Sequence, residues 1–330
     1  MKKAGVVFSG IFSCIGMLVL ILDAKTAMAA ATEGMELCIQ TVIPALFPFF
    51  VLSGVLRNTM SKSQLKFLKP LGKLCAVTDE NLHLMLIGLI GGYPVGAQYI
   101  SQAYECGQLS EQEARRMLGF CNNAGPAFIF GICAKQFDSA MVGWGLWLVH
   151  ILSALITGIV LPQSGQNRIR KSPACVNYKN TSVFEASVKS MAYVCGWVVL
   201  FRIVLGFLRR WVMWYFPVEF QVLIYGLLEL TNGCTELFRL DSNAVRFLLC
   251  VCMLNFGGVC VGMQTISVTG SLKSGWHFPG KLLQAIIGAV ICLAMYLLYY
   301  NFWAGIGVVM GASLCAIIVC GKKVWLFGKA

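Results

Sequence analysis

The sequence predicts an all-α integral membrane protein, with about eight transmembrane helices plus two re-entrant or broken segments in an inverted-repeat, transporter-like arrangement. Three observations carry this reading. Hydrophobic residues make up 58% of the 330 residues and charged residues only 12%, about half the charged share of a soluble domain. Apolar segments of spanning length recur along the whole chain. Two of those segments contain residues that a continuous helix tolerates badly.

The apolar segments fall at about 4–22, 36–56, 82–100, 116–134, 140–161, 188–208, 218–235, 245–269, 280–300 and 302–320. They divide the chain into an N-terminal membrane helix and external loop (1–35) and a first membrane repeat (36–161). A cytoplasmic inter-half loop (162–187), an inverted second repeat (188–300) and a C-terminal helix with a basic tail (301–330) follow. Lys2-Lys3, the apolar run 4–22 and Ala27-Met28-Ala29 imitate a secretory signal. The run is long for a signal core and more spans follow it, so a retained first helix is expected.

The first broken segment contains Gly88, Gly91, Gly92, Pro94 and Gly96, which interrupt the helical hydrogen-bond ladder. The second ends in Leu228-Glu229-Leu230-Thr231-Asn232-Gly233, a carboxylate and a turn sequence in an apolar run. Freed backbone groups survive at membrane depth only when buried in protein or lining a watery cavity.

The net charge of +12 reads as positive-inside loops, and no nucleic-acid partner is expected. Letting both broken segments enter and leave on one side moves Arg115, Arg116 and the basic cluster at 168–189 inside, at the cost of Lys135, Arg209 and Arg210. Lys281 counts as cytoplasmic in this layout. Both termini are then cytoplasmic in a bacterial cell membrane, and the two halves run in opposite senses. Ala114-Arg115-Arg116-Met117-Leu118 faintly echoes Ala244-Val245-Arg246-Phe247-Leu248.

The expected site for a small polar solute joins two groups. Gly92, Tyr93, Pro94, Gly96 and Gln98 stand beside Asn122 and Asn123, whose amides can bind a polar solute or a coupling cation without placing a charge in lipid. Glu229, Thr231 and Asn232 stand with Asn255 and Gln264. An intramembrane carboxylate is a functional-site hypothesis by default, and Arg202 on the preceding span is its expected partner. The alternatives are helix–helix hydrogen bonding for the asparagines and a structural Glu229–Arg202 pair.

Other features read as structural. Ser110-Glu111-Gln112-Glu113 fits a capping box. Trp144, Trp147, Trp211 and Trp214 read as interfacial anchors. His83, His150 and His277 are too scattered for a metal motif and read as loop or helix-end residues. The 15 cysteines lie mostly in apolar runs and include no C-x-x-C pair, so they read as small hydrophobes. The sortase-like run 161–165 and the Asn180-Thr181-Ser182 sequon are discounted. Neither a P-loop nor an H-E-x-x-H motif occurs. No enzyme and no cofactor are expected; lipid is the surrounding partner, and an oligomer is compatible with the sequence.

These motifs carry a family resemblance. Pro44-Ala45-Leu46-Phe47-Pro48-Phe49-Phe50, Gly92-Tyr93-Pro94-Val95-Gly96-Ala97, Phe120-Cys121-Asn122-Asn123-Ala124-Gly125-Pro126, Gly226-Leu227-Leu228-Glu229-Leu230-Thr231-Asn232-Gly233 and Phe256-Gly257-Gly258-Val259-Cys260-Val261 occur in order over roughly 41–284. They resemble the sporulation integral membrane protein (YlbJ-like) family, among the nucleoside-recognition or Gate-domain membrane proteins. The resemblance implies a spore-forming bacterium of the Firmicutes type, a cell-membrane location and a role in spore formation linked to the cortex. It also implies a relation to parts of nucleoside and iron transporters. Where relatives often have lysine this chain has Gln98, so no charge is available there; Gly262 likewise stands where histidine or alanine is frequent. The expected function is a secondary transporter or channel for a small polar solute, with nucleosides among the candidates that the resemblance implies without identifying the cargo. The alternative is a non-transporting scaffold of a sporulation membrane complex.

Overall fold

The computed structural model describes residues 2–60, 65–137, 139–162, 182–272, 274–301, 303–308 and 310–311. Most of the inter-half loop, the basic tail and the discounted motifs at 163–165 and 180–181 lie outside the described residues. All regular structure among the described residues is helical.

The chain opens with α1 (Lys2–Leu22) and α2 (Ala24–Leu37). Asp23 starts α2 by accepting the Thr26 amide at 3.3 Å. A π-helical turn over Cys38–Val42 then joins α2 to α3 (Ile43–Met60), so Ala24–Leu56 runs as one apolar stretch of 33 residues. The external loop expected before residue 36 is therefore helix. Its Ala-rich composition suits a helix and no Gly–Pro pair stops it.

Short α4 (Lys69–Leu74) leads to α5 (Leu82–Ile90) and α6 (Val95–Glu105). Gly92 has a φ of +85° and Pro94 has no amide hydrogen, so the ladder ends between these two helices. A Cβ on Gly96 would lie 3.0 Å from the Gly88 Cα. Eight residues of straight helix would separate those positions by about 12 Å. The segment therefore folds back on itself, and glycine at both positions lets its two arms touch.

Helix α7 (Glu111–Met117) follows. Ser110 caps it, accepting the Glu113 amide at 3.2 Å, and the Glu113 carboxylate accepts from the Ser110 amide in return; the capping box forms. Residues 118–125 leave the helix while buried, and α8 (Pro126–Phe128) resumes it. Long α9 (Met141–Val160) closes this half.

The second half repeats this order. Long α10 (Val183–Trp211) is followed by α11 (Val218–Leu228) and α12 (Leu230–Thr235). These two fold back at Glu229, whose φ of −140° and ψ of 115° are those of extended chain. A Cβ on Gly233 would collide with the Gly226 backbone, although about 10 Å of straight helix would lie between them. Next come α13 (Asn243–Phe256) and α14 (Gly258–Thr269), parted at Gly257 and Gly258 with φ of +82° and +84°. Long α15 (His277–Tyr300) closes the half.

Five helical stretches among the described residues are long and apolar enough to cross a membrane: Ala24–Leu56, Met141–Val160, Val183–Trp211, Asn243–Leu272 and His277–Tyr300. Ser13–Leu22 and Val218–Leu228 are shorter apolar helices. The sequence expects two interruptions; the structure adds the run 118–125 and the Gly257–Gly258 break. Exposed Leu148, Leu200, Leu282, Ile286 and Leu293 on the long helices form the apolar exterior that lipid covers.

The glycine crossings are testable. Replacing Gly96 by Leu forces a side chain into the Cys121 carbonyl, an overpacking that costs about 1–3 kcal/mol or more. Gly196 has no atom within 4 Å of an added Cβ. Gly96→Leu should lose most of its monodisperse folded yield in detergent and Gly196→Leu should keep it. Equal melting temperatures for the two variants would contradict a folded-back segment.

Candidate functional site

The interrupted elements leave backbone groups without helical partners in a dry interior, where each must find another. In the first half two asparagines do this. The Asn122 side-chain oxygen accepts the Ala97 amide at 3.3 Å, and its Nδ2 donates to Thr265 Oγ1 on α14 at 2.9 Å. Asn123 Nδ2 donates to the Gly88 carbonyl at 3.1 Å and to the Phe120 carbonyl at 2.6 Å. One asparagine thus ties the first folded-back pair to the second half, and its neighbour ties the open run to α5.

His150, on α9, is a partner that the sequence reading sets aside as a loop or helix-end residue. It is buried mid-helix. Its Nε2 accepts the Ala124 amide at 3.1 Å, which leaves the proton on Nδ1 to be donated to Asn255 Oδ1 at 2.7 Å. Lys281 and Gln284, on α15, complete the group and are absent from the sequence expectation. Lys281 counts there as a cytoplasmic charge; here none of it is exposed. Its Nζ donates to Asn123 Oδ1 at 2.8 Å and Gln284 Oε1 at 2.7 Å. The spacing Lys281-x-x-Gln284, one turn on a single face, is the signal that could have drawn attention to it.

In the second half Glu229 caps α12. Its carboxylate accepts the Thr231 amide at 3.1 Å, the Asn232 amide at 2.7 Å and Asn232 Nδ2 at 2.7 Å. The expected Glu229–Arg202 pair does not form. Arg202 instead pairs with Glu33 at 2.7 Å and donates to Asn232 Oδ1. The Asn232 amide sits between them, donating to the carboxylate and accepting from the guanidinium. The helix at 24–37 explains the change, because it brings Glu33 alongside α10 and gives Arg202 a more exposed carboxylate.

The two halves meet at one narrow cavity. Tyr93, Ala124 and Gly125 line it from the first half, and Glu229, Thr231, Val261 and Gln264 from the second. Tyr93 spans the seam, donating to the Leu254 carbonyl at 3.3 Å beside the Gly257 break. The cavity has about 30 Å³ of room for water-sized occupants, enough for one or two waters. Of the expected residues, Tyr93, Glu229, Thr231 and Gln264 face it. Gly92 packs close to Gly125, Pro94 starts α6, and Gly96 lies at the arm crossing. Asn122, Asn123 and Asn255 sit in the bonded network rather than on the wall. Gln98 points away, accepting the Ser190 hydroxyl at 2.9 Å.

Two further clusters lie apart from the cavity. A larger groove of about 330 Å³ between α2 and α10 is lined by Lys25, Glu33, Arg202, Arg209 and Arg210. Glu33, Arg202, Asn232 and Glu229 form a continuous polar chain from this groove to the central cavity. The thiols of Cys133, Cys234 and Cys250, all buried, lie within 4.8 Å of one another. They are the described side chains with a donor set suited to a soft metal ion.

Fold and site together define a polytopic α-helical membrane protein whose interrupted segments meet at a buried polar seam. The chain is similar to the sporulation integral membrane protein YlbJ of Bacillus subtilis (strain 168), 23% identical over an aligned length of 333 residues that covers 84% of this chain and 80% of that protein. The match supports the YlbJ-like family to which the ordered motifs point. No family model and no solved structure matches the chain.

The Asn122–Thr265 bond spans the two halves, so its strength is a measure of the seam. Asn122→Ala and Thr265→Val should be non-additive in a double-mutant cycle of thermal unfolding, with a coupling of about 0.5–3 kcal/mol. Strictly additive losses would mean that the bond does not hold the halves together.

Proposed function

We propose that the protein is a secondary transporter or gated channel for a small polar solute, with the seam between the interrupted segments as its solute site. The observation that carries this is the convergence of Tyr93, Glu229, Thr231 and Gln264, from folded-back and broken elements of both halves, on a single cavity. Broken helices at a repeat interface are where secondary transporters place their sites. The recurring order of long helix, folded-back pair, interrupted helix and long helix supports an inverted repeat of about eight spanning helices with two re-entrant pairs. Both termini are then cytoplasmic, as the loop charges favour.

The cavity's room is far below the 300 Å³ or so of a small-molecule pocket, so the structure corresponds to a closed conformation in this reading. Solute entry requires the folded-back pairs to part, and the polar chain from Glu33 to Glu229 marks the side from which water can follow. A place in spore formation is carried over from the YlbJ relative, and a nucleoside-like solute and a link to the cortex from the resemblance alone. One observation favours a second reading, a non-transporting scaffold: the cavity wall is mainly apolar, with Val42, Leu46, Phe128, Val194 and Val198 on it, and the polar network is largely satisfied internally.

Uptake into proteoliposomes over a panel of nucleosides, nucleobases, amino acids and small sugars separates the two. A saturable solute should be found for the parent, and Glu229→Gln should abolish its uptake while eluting and melting like a folded protein. Uptake by Glu229→Gln at the parental rate would remove Glu229 from the mechanism. A panel without any saturable solute would favour the scaffold.

A further inference from the structure

The most unusual group in the molecule is Lys281. It is fully buried, and among the described residues no carboxylate forms an ion pair with it. A buried charge is ordinarily neutralised by a partner of opposite sign. Here two neutral amide oxygens and an aromatic face approach the ammonium, and the Cys121 thiol and the His150 and His277 imidazoles lie within its electrostatic reach. Asn123 Oδ1 and Gln284 Oε1 approach at 2.8 and 2.7 Å, and the Tyr93 ring lies with its centre 5.4 Å away. Amide oxygens and π faces are the ligands that hold a small monovalent cation without cancelling its charge.

The oxygens are aimed rather than incidental. Asn123 spends both of its side-chain N–H groups on the Gly88 and Phe120 carbonyls, which turns its oxygen toward Lys281. Gln284 donates to Asn123 Oδ1 and to Asn255 Oδ1, both at 3.0 Å, which turns its own oxygen the same way. Asn123 belongs to the open run of the first half, Asn255 ends the helix before the Gly257 break, and α15 carries the charge. The cation thus bonds the open run of the first half to α15 directly, and Gln284 links both to Asn255 on α13.

We propose that this seam is a monovalent-cation site whose cation is supplied by the chain itself, the Lys281 ammonium standing where a coupling metal ion would otherwise bind. The closed arrangement is then held without sodium or potassium from solution. The proposal rests on the transporter reading only in treating closure of the seam as a step of transport; the cation site stands on its own geometry.

The test uses the purified full-length protein in detergent at fixed pH and ionic strength, with choline chloride as the inert salt. The parent should melt at the same temperature in sodium, potassium and choline chloride. Lys281→Ala should melt several degrees lower and recover most of that loss, saturably, with sodium, potassium or ethylammonium chloride. Lys281→Met, which fills the space with an apolar chain, should be destabilised without recovery by any of them. Should Lys281→Ala not fold, Lys281→Ser serves as the second cavity-forming variant, and recovery of folded yield by ethylammonium during extraction replaces the melting shift. A saturable sodium or potassium dependence of the parent, or a folded cavity variant indifferent to every cation, would overturn the proposal. Cation recovery in a protein with no uptake of any solute would keep the site and discard the transporter reading.

Discussion

An interrupted helix in an apolar interior must give its freed amides and carbonyls to some other group, and the rest of this structure follows from how that is done. Four side-chain groups carry most of the work: the amides of Asn122 and Asn123, the imidazole of His150 and the carboxylate of Glu229. Each takes up backbone groups that the chain breaks release. Each also, directly or through one neighbour, reaches an element distant in sequence. Local satisfaction and long-range assembly are therefore the same set of bonds.

The glycines make this geometry possible. Gly88 with Gly96, and Gly226 with Gly233, let the arms of each folded-back pair meet backbone to backbone. The two pairs are alike once the contact is known: a Gly-Leu-Ile or Gly-Leu-Leu start, Gly88-Leu89-Ile90 or Gly226-Leu227-Leu228, is followed by a second glycine eight residues on at Gly96 and seven on at Gly233. Small residues at close crossings are the general device of membrane interiors, where packing replaces the hydrophobic effect as the force between helices.

Much of this was legible in the sequence. The helical class followed from composition and the two folding-back points from Gly92, Pro94 and Glu229, because glycine, proline and a buried carboxylate are rare inside apolar helices for plain physical reasons. Four of the expected site residues face the cavity. What escaped was pairing. Arg202 and Glu229 have opposite charge and lie on consecutive elements, yet the guanidinium goes to Glu33, whose position depends on helix α2 continuing where a loop was expected. Lys281 follows Pro279 near the start of a span and looks like a loop charge; only the packing of α15 against the first half shows it buried. His150 gave no local signal at all, since its partners lie at positions 124 and 255.

The crowded sulfurs of Cys133, Cys234 and Cys250 carry a practical meaning for such a seam. They belong to the turn after the first open run, to the second folded-back arm and to the helix behind it. An S–S bond between Cys234 and either neighbour would staple that arm in place, as a bolt holds a door. Buried as they are, these thiols are shielded from oxidant while the seam is closed; were an opening to expose them, a disulfide formed there would restrict the movement of the second half, and a thiol reductant would preserve it.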